Sequence, residues 1–158
     1  MRISIRLVLI LSFLLAYTFS YSQSKLSTSA VNVKWETNYS KAVRVAKKTK
    51  KPILIFFTGS DWCGPCKMLT KDFFETQKFN DVANKDLVLY EADFPRNKDL
   101  ITDIQNKNNN KLKLKYQVNS FPTVIVVNNK GKIIGKRHSY NLMRDPSYYF
   151  KFLESIVN

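Results

Sequence analysis

The chain has 158 residues, 44% of them hydrophobic and 13% aromatic, which is one domain's worth of sequence with ample material for a core. Its formal charge of +14 raises the question of nucleic acid. The lysines are scattered along the chain and no nucleic-acid motif accompanies them, so we read a solvated basic surface instead, attractive at long range to acidic partners or an anionic membrane surface.

Residues 1–22 read as a secretory signal peptide. Arg2 and Arg6 form a basic start, Leu7 to Phe19 is apolar, and Ser20 and Ser22 are small residues at the spacing of a cleavage site. Cleavage after Ser22 is expected, giving a periplasmic or secreted protein. The alternative is an uncleaved anchor, against which the apolar run falls short of the about 20 residues that span a bilayer. No cysteine directly follows that run, so a lipid-modified N-terminus is not supported. Residues 23–30 are small and polar and read as a flexible lead; residues 31–158 form the domain.

Val31, Val33 and Trp35 alternate, as in a short edge strand. Tyr39, Ala42, Val43 and Ala46 then recur at helical spacing, and Lys50–Lys51–Pro52 ends that helix. Ile53 to Phe57 is a continuous apolar run of the kind found in strands buried on both faces. After a loop, Cys63 to Phe74 reads as a helix with Met68, Leu69 and Phe73 inward, and Phe79, Val82 and Ala83 mark a further short helix. Leu87 to Phe94 is a second apolar strand that turns acidic at its end. In the asparagine-rich stretch 95–111, Leu100, Ile101 and Ile104 suggest one amphipathic helix and Asn108–Asn110 a loop. Thr123 to Val127 is a third apolar strand, NNKGK a turn, and IIGKRH its hairpin partner. Pro146 opens a last helix with Tyr149, Phe152, Leu153 and Ile156 on one face. The alternation of helices with buried strands predicts an α/β fold with a central mixed β-sheet flanked by helices, closed by an antiparallel hairpin, with no repeat and no second domain.

Both cysteines of the chain fall in one short window, GSDWCGPCK, as Cys63 and Cys66. A structural zinc site needs four ligands, and the only histidine, His138, is far off in a lysine-rich patch where a surface role suits it. A structural staple gains little from so short a loop. A redox pair uses everything at hand. Cys63 falls near the N-terminus of a helix, where free amide N–H groups and the helix dipole favour a thiolate, so its pKa is expected below that of a free cysteine. Cys66 lies one turn on, within reach of a bond. Pro65 is tolerated in the first turn, and Gly64 leaves Cys63 uncrowded for a partner's disulfide. Position at the helix tip predicts that Cys63 is the exposed, attacking cysteine and that Cys66 points back into the protein.

Trp62 to Lys67, W-C-G-P-C-K, resembles the active site of thioredoxins, and Ser120 to Thr123, SFPT, resembles the thioredoxin segment that carries a cis-proline against the cysteine pair. The wider pattern over residues 31–157 resembles exported bacterial thioredoxin-like proteins. The resemblance implies a thioredoxin-like fold in which Cys63 attacks and Cys66 resolves. It implies that Trp62 shields the pair and offers an apolar docking surface, that Pro122 is cis and faces the disulfide, and that the backbone of Phe121 pairs with bound substrate as an added strand. One departure stands out. The strand before a thioredoxin active site carries a buried aspartate that assists proton transfer at the resolving cysteine; here Phe56 falls at that place and the following loop is one residue longer. Asp61 is nearby but belongs to the loop, and Glu91 and Asp93 lie at a different strand's end; water, Lys67 or Glu91 is left as the proton route, and a slower release step or a shifted pH optimum is expected.

Gly64–Pro65 offers no side-chain donor to a thiolate, and by resemblance this dipeptide belongs at the reducing end of the family. The expected function is therefore an exported thiol–disulfide oxidoreductase, a monomer acting on protein disulfides. It would draw its electrons from a membrane-associated thiol donor, since the chain carries no cofactor motif, no metal set and no nucleic-acid motif. The alternatives are a disulfide oxidase or isomerase, and a non-catalytic binding module, which would need neither cysteine. The stretch 95–115 is the most individual part of the chain, either a specificity element or a solvated loop.

Overall fold

A computed structural model of the chain describes residues 33–157. The expected signal peptide, the flexible lead and Val31 lie outside the described residues. The elements are β1 (Trp35–Glu36), α1 (Tyr39–Thr49), β2 (Ile53–Thr58), α2 (Gly64–Leu69), a π turn (Thr70–Phe74), α3 (Gln77–Asp86), β3 (Val88–Asp93), a 3₁₀ turn (Lys98–Leu100), α4 (Asp103–Lys115), β4 (Thr123–Val127), β5 (Ile133–His138) and α5 (Ser147–Val157). The five strands form one mixed sheet in the order β1-β3-β2-β4-β5. β1, β3 and β2 run parallel, β4 is antiparallel to β2, and β5 closes the hairpin on β4.

The central strand β2 is buried along its whole length, which is why its sequence is an unbroken apolar run rather than an alternation. Leu54 and Phe56 face one core, shared with Leu69 of α2, Phe73 of the π turn, Phe79 of α3 and Tyr149, Phe152 and Leu153 of α5. Ile53, Ile55 and Phe57 face the other, shared with Ala42 and Ala46 of α1 and Leu112 of α4. Helix ends follow local chemistry. Asn38 caps α1 by accepting from the Lys41 amide at 3.0 Å, and Lys50 ends it with a left-handed φ of 60°. Gly135 of β5 lies under α5, where an added Cβ would come within 2.4 Å of the Phe152 ring.

Two expectations about helices need correction. The segment from Cys63 to Phe74 is not one α-helix: after Leu69 it widens into the π turn, closed by the Glu75 amide donating to the Thr70 carbonyl at 2.9 Å. This widening lets Phe73 and Phe74 both turn inward. In stretch 95–111, Asn108–Asn110 are not a loop but lie in α4, and Leu100 and Ile104 point to solvent. The helix is set by a capping box in which Thr102 and Gln105 satisfy each other's end of the first turn, and it faces inward through Asn109 and Leu112. Asn109 is polar yet buried because both ends of its amide are used: its carbonyl accepts from the Tyr90 hydroxyl and its NH₂ donates to the Asp93 carbonyl at 2.8 Å.

Candidate functional site

The site lies where β2 and β3 end and β4 begins. β2 leads through a loop to Cys63, which serves as N-cap of α2: the Cys66 amide donates to the Cys63 sulfur at 3.3 Å. The pair is joined as a disulfide, with Cα atoms 5.2 Å apart. Pro65 sits within the first turn, where no intrahelical partner is lost. A Cβ built on Gly64 meets no atom within 4 Å, so the space over that residue is open. Phe121–Pro122 is a cis peptide, and the Pro122 carbonyl accepts from the Ser139 amide at 2.9 Å, which ties the start of β4 to the end of β5.

The expected contrast in exposure between the two cysteines is not present. Cys63 is 3% exposed and Cys66 1%, and both belong to the core cluster beneath the helix. What distinguishes Cys63 is the amide aimed at its sulfur and the open space over Gly64, not a protruding position. Trp62 is 41% exposed, and its indole N–H donates to the Phe94 carbonyl at 2.9 Å. Gly59 lies against the indole, where an added Cβ would sit 2.4 Å from the ring. Trp62 therefore is both packed and presented.

The loop before Cys63 is held by carboxylates. Asp61 accepts from the amides of Arg96 and Asn97 at 3.0 and 2.9 Å, and these bonds hold its carboxyl below the usual range. Asp93 accepts from the Ser60 amide at 2.8 Å and from the Ser60 hydroxyl. Lys67 donates to the Asp61 carbonyl at 2.9 Å. Glu91 differs. It is paired in register with Phe56 on the neighbouring parallel strand, and it borders a cavity of about 220 Å³ together with Phe56, Thr70 and Phe74. Its side chain is exposed at the edge of that cavity, and loss of part of its hydration there, with a further push from Asp93, raises its carboxyl to about 7.

Sequence reasoning gathered Trp62, Cys63, Gly64, Pro65, Cys66, Phe121 and Pro122, and the structure brings all seven to one end of the sheet. It missed three neighbours. Phe94 stacks on Phe121 with ring centroids 5.1 Å apart, Arg96 sits over the Trp62 ring at 5.3 Å, and Lys113 sits over Phe94 and Phe121 at 5.6 and 5.7 Å. Phe94 had a signal, an aromatic at the end of a buried strand. The two cations had none, being two among many basic residues. His138 is exposed at the end of β5.

A family model described as a thioredoxin-like domain matches residues 39–143. The chain is 34% identical over 108 residues to the disulfide bond reductase DsbH of Chlamydia pneumoniae, covering 68% of this chain and 64% of that protein. It is 27% identical over 123 residues to the thioredoxin-related protein DsbJ of the same organism, covering 78% of this chain and 34% of that one. The chain thus spans less than two thirds of the length of either relative. A solved structure of a DsbH oxidoreductase superposes with a TM-score of 0.72 at 29% identity, covering 86% of this chain and 92% of the other.

Proposed function

The chain belongs to the thioredoxin-like family, and from that membership we propose that it is an exported thiol–disulfide oxidoreductase that reduces protein disulfides through Cys63 and Cys66. The observation that carries the reading is the cysteine pair capping α2, with open space above Gly64 and a cis-proline segment beside it. In the dithiol form the Cys63 thiolate, stabilised by the amide it caps, attacks one sulfur of a substrate disulfide. The substrate S–S bond breaks, a mixed disulfide forms, and the first substrate thiolate leaves and takes up a proton. Cys66 gives up its proton and attacks the Cys63 sulfur. The mixed disulfide breaks, the second substrate thiol is released, and Cys63–Cys66 is left oxidised. Two electrons and two protons pass to the substrate, and an external thiol donor, which we place at the membrane, must restore the dithiol.

Trp62 and Phe121 supply the apolar floor for the substrate chain, and the Phe121 backbone its added-strand contact. Phe56 leaves β2 without a carboxylate beneath Cys66. Asp61 and Asp93 are committed to loop hydrogen bonds, so Glu91, held near neutrality beside Phe56, is the group we assign to the Cys66 proton. Export rests on the basic start, apolar run and small-residue site of residues 1–22. The reducing direction draws support from Gly64–Pro65 and from the relative named as a reductase.

Equilibration against a glutathione or dithiothreitol series tests the direction. A potential near the roughly −270 mV of thioredoxin is expected. A value near about −120 mV would make the chain an oxidant and overturn the proposal. Cys66→Ser is expected to trap the mixed disulfide, and Glu91→Gln to remove an inflection near pH 7, on the order of the raised carboxyl, from the rate of the release step.

A further inference from the structure

The rings beside the disulfide form a continuous shelf. Trp62 and Phe121 have centroids 6.0 Å apart, and Phe121 stacks on Phe94 with planes 25° apart. Trp62 directly precedes Cys63 and Phe121 directly precedes Pro122, so the shelf begins at the reacting sulfurs. Two cations cover it. The Arg96 guanidinium lies 5.3 Å from the Trp62 ring centre, and the Lys113 ammonium 5.6 Å from that of Phe94.

Neither cation has an ion-pair partner among the described residues, whose bridges join Lys34 and Lys41 to Glu36, Lys78 to Glu154 and Arg144 to Asp72. Asp61 feels the charge of Arg96 and offsets part of it, but its carboxylate oxygens are taken by two backbone amides. A cation held over a ring face keeps outward N–H donors, and a guanidinium can still grip a carboxylate through two of them. Both residues come from the stretch between β3 and β4, Arg96 just after β3 and Lys113 in the last turn of α4.

Resting on the disulfide-exchange reading, we propose that this shelf selects substrates whose cystine is flanked by Asp or Glu, with Arg96 and Lys113 receiving the carboxylates while the rings take the neighbouring apolar atoms. The occupant is an acidic protein segment, and the recognition is local, distinct from the general pull of a basic molecule.

The test uses the purified chain in its dithiol form and three disulfide peptides that differ only in having Glu, Gln or Lys beside the cystine. At low salt kcat/KM is expected to be about tenfold higher for the Glu peptide than for the Lys peptide, the scale of electrostatic steering at a charged site. Arg96→Gln/Lys113→Gln is expected to bring that ratio near one, and each single substitution to remove part of it. Lys47→Gln/Lys48→Gln removes the same charge from the last turn of α1, at the opposite end of β2, and is expected to leave the ratio in place. A wild-type ratio near one, or an equal fall in both double variants, overturns the inference; the second result would leave net charge alone as the source. Failure of the wild-type chain to reduce any of the three peptides would instead overturn the oxidoreductase reading.

Discussion

Phe56 and Glu91 occupy paired positions on β2 and β3, the apolar residue on the buried central strand and the acid exposed on its neighbour. The raised carboxyl of Glu91 has a consequence for stability as well as for proton transfer. A carboxyl whose folded pKa is about 7, against an ordinary 4.5, binds its proton more tightly in the folded chain. Across that window the folded state holds more protons than the unfolded one, so stability falls as pH rises. Glutamine carries no such loss. The melting temperature of Glu91→Gln relative to wild type is therefore expected to climb between about pH 4.5 and 7 and to level off above. A flat difference would mean that Glu91 is fully solvated. Asn109 gives a second residue-scale expectation. Asn109→Ala leaves the buried Tyr90 hydroxyl and the Asp93 carbonyl without their partner, at a cost of about 2–3 kcal/mol by urea unfolding. Adding Tyr90→Phe is expected to cost less in that background than alone, because the hydroxyl is by then an unpaired burden.

At the scale of elements, the connection after β5 is bound to the segment after the cysteine helix. Asp72 of the π turn accepts from the Tyr140 hydroxyl and from the Arg144 guanidinium, each at 2.9 Å, with a second guanidinium contact to its other oxygen. Those bonds hold the Asp72 carboxyl down at about 2. The stabilisation is present above the ordinary carboxylate range and lost as pH falls through the folded value. Asp72→Asn is expected to melt below wild type at neutral pH, with the gap closing as pH falls toward about 2, which thermal scans across acid pH would follow. These elements also mark what the sequence disclosed. The runs Ile53–Phe57 and Thr123–Val127 announced buried strands because both faces of the sheet are covered. The residues Tyr149, Phe152 and Leu153 announced α5 because its inward stripe is apolar. α4 was legible only in part: a helix was expected on Leu100, Ile101 and Ile104, but its inward face carries Asn109 and Leu112 while Ile104 and Leu114 are exposed, so the apolar pattern gave neither its face nor its extent.

At the scale of the molecule, the site is assembled from segments far apart in the chain and adjacent in the sheet. The cysteine pair was legible because its chemistry is local: two sulfurs one helical turn apart, with a proline that fits a first turn. The cis segment was legible through resemblance. The cations over the rings were not, because their meaning arises only when the stretch after β3 folds back over the segment that leads into β4. The net charge of +14 is a property of the whole chain, left over after every acid is counted, and the four ion pairs among the described residues relieve repulsion only locally. Self-repulsion in such a molecule is relieved by screening. The melting temperature is expected to rise as salt is raised from about 10 to 150 mM, the range over which the Debye length shortens from about 30 to 8 Å. A fall would mean that the few ion pairs outweigh the repulsion.

The π turn also measures length. A chain that passes from α-helix through one wide turn carries one more residue than the same path as plain helix, and each residue advances the direction of its side chain by about 100°. Removing one residue from Thr70–Phe74 would let the same path close as plain helix, with the elements beyond it kept in place and the side chains inside the turn re-aimed. The cost would fall within the turn, on the inward pair Phe73 and Phe74 and on the Asp72 carboxylate that anchors Arg144. A substitution within this turn is absorbed side chain by side chain, whereas a deletion is felt as far away as the connection between β5 and α5.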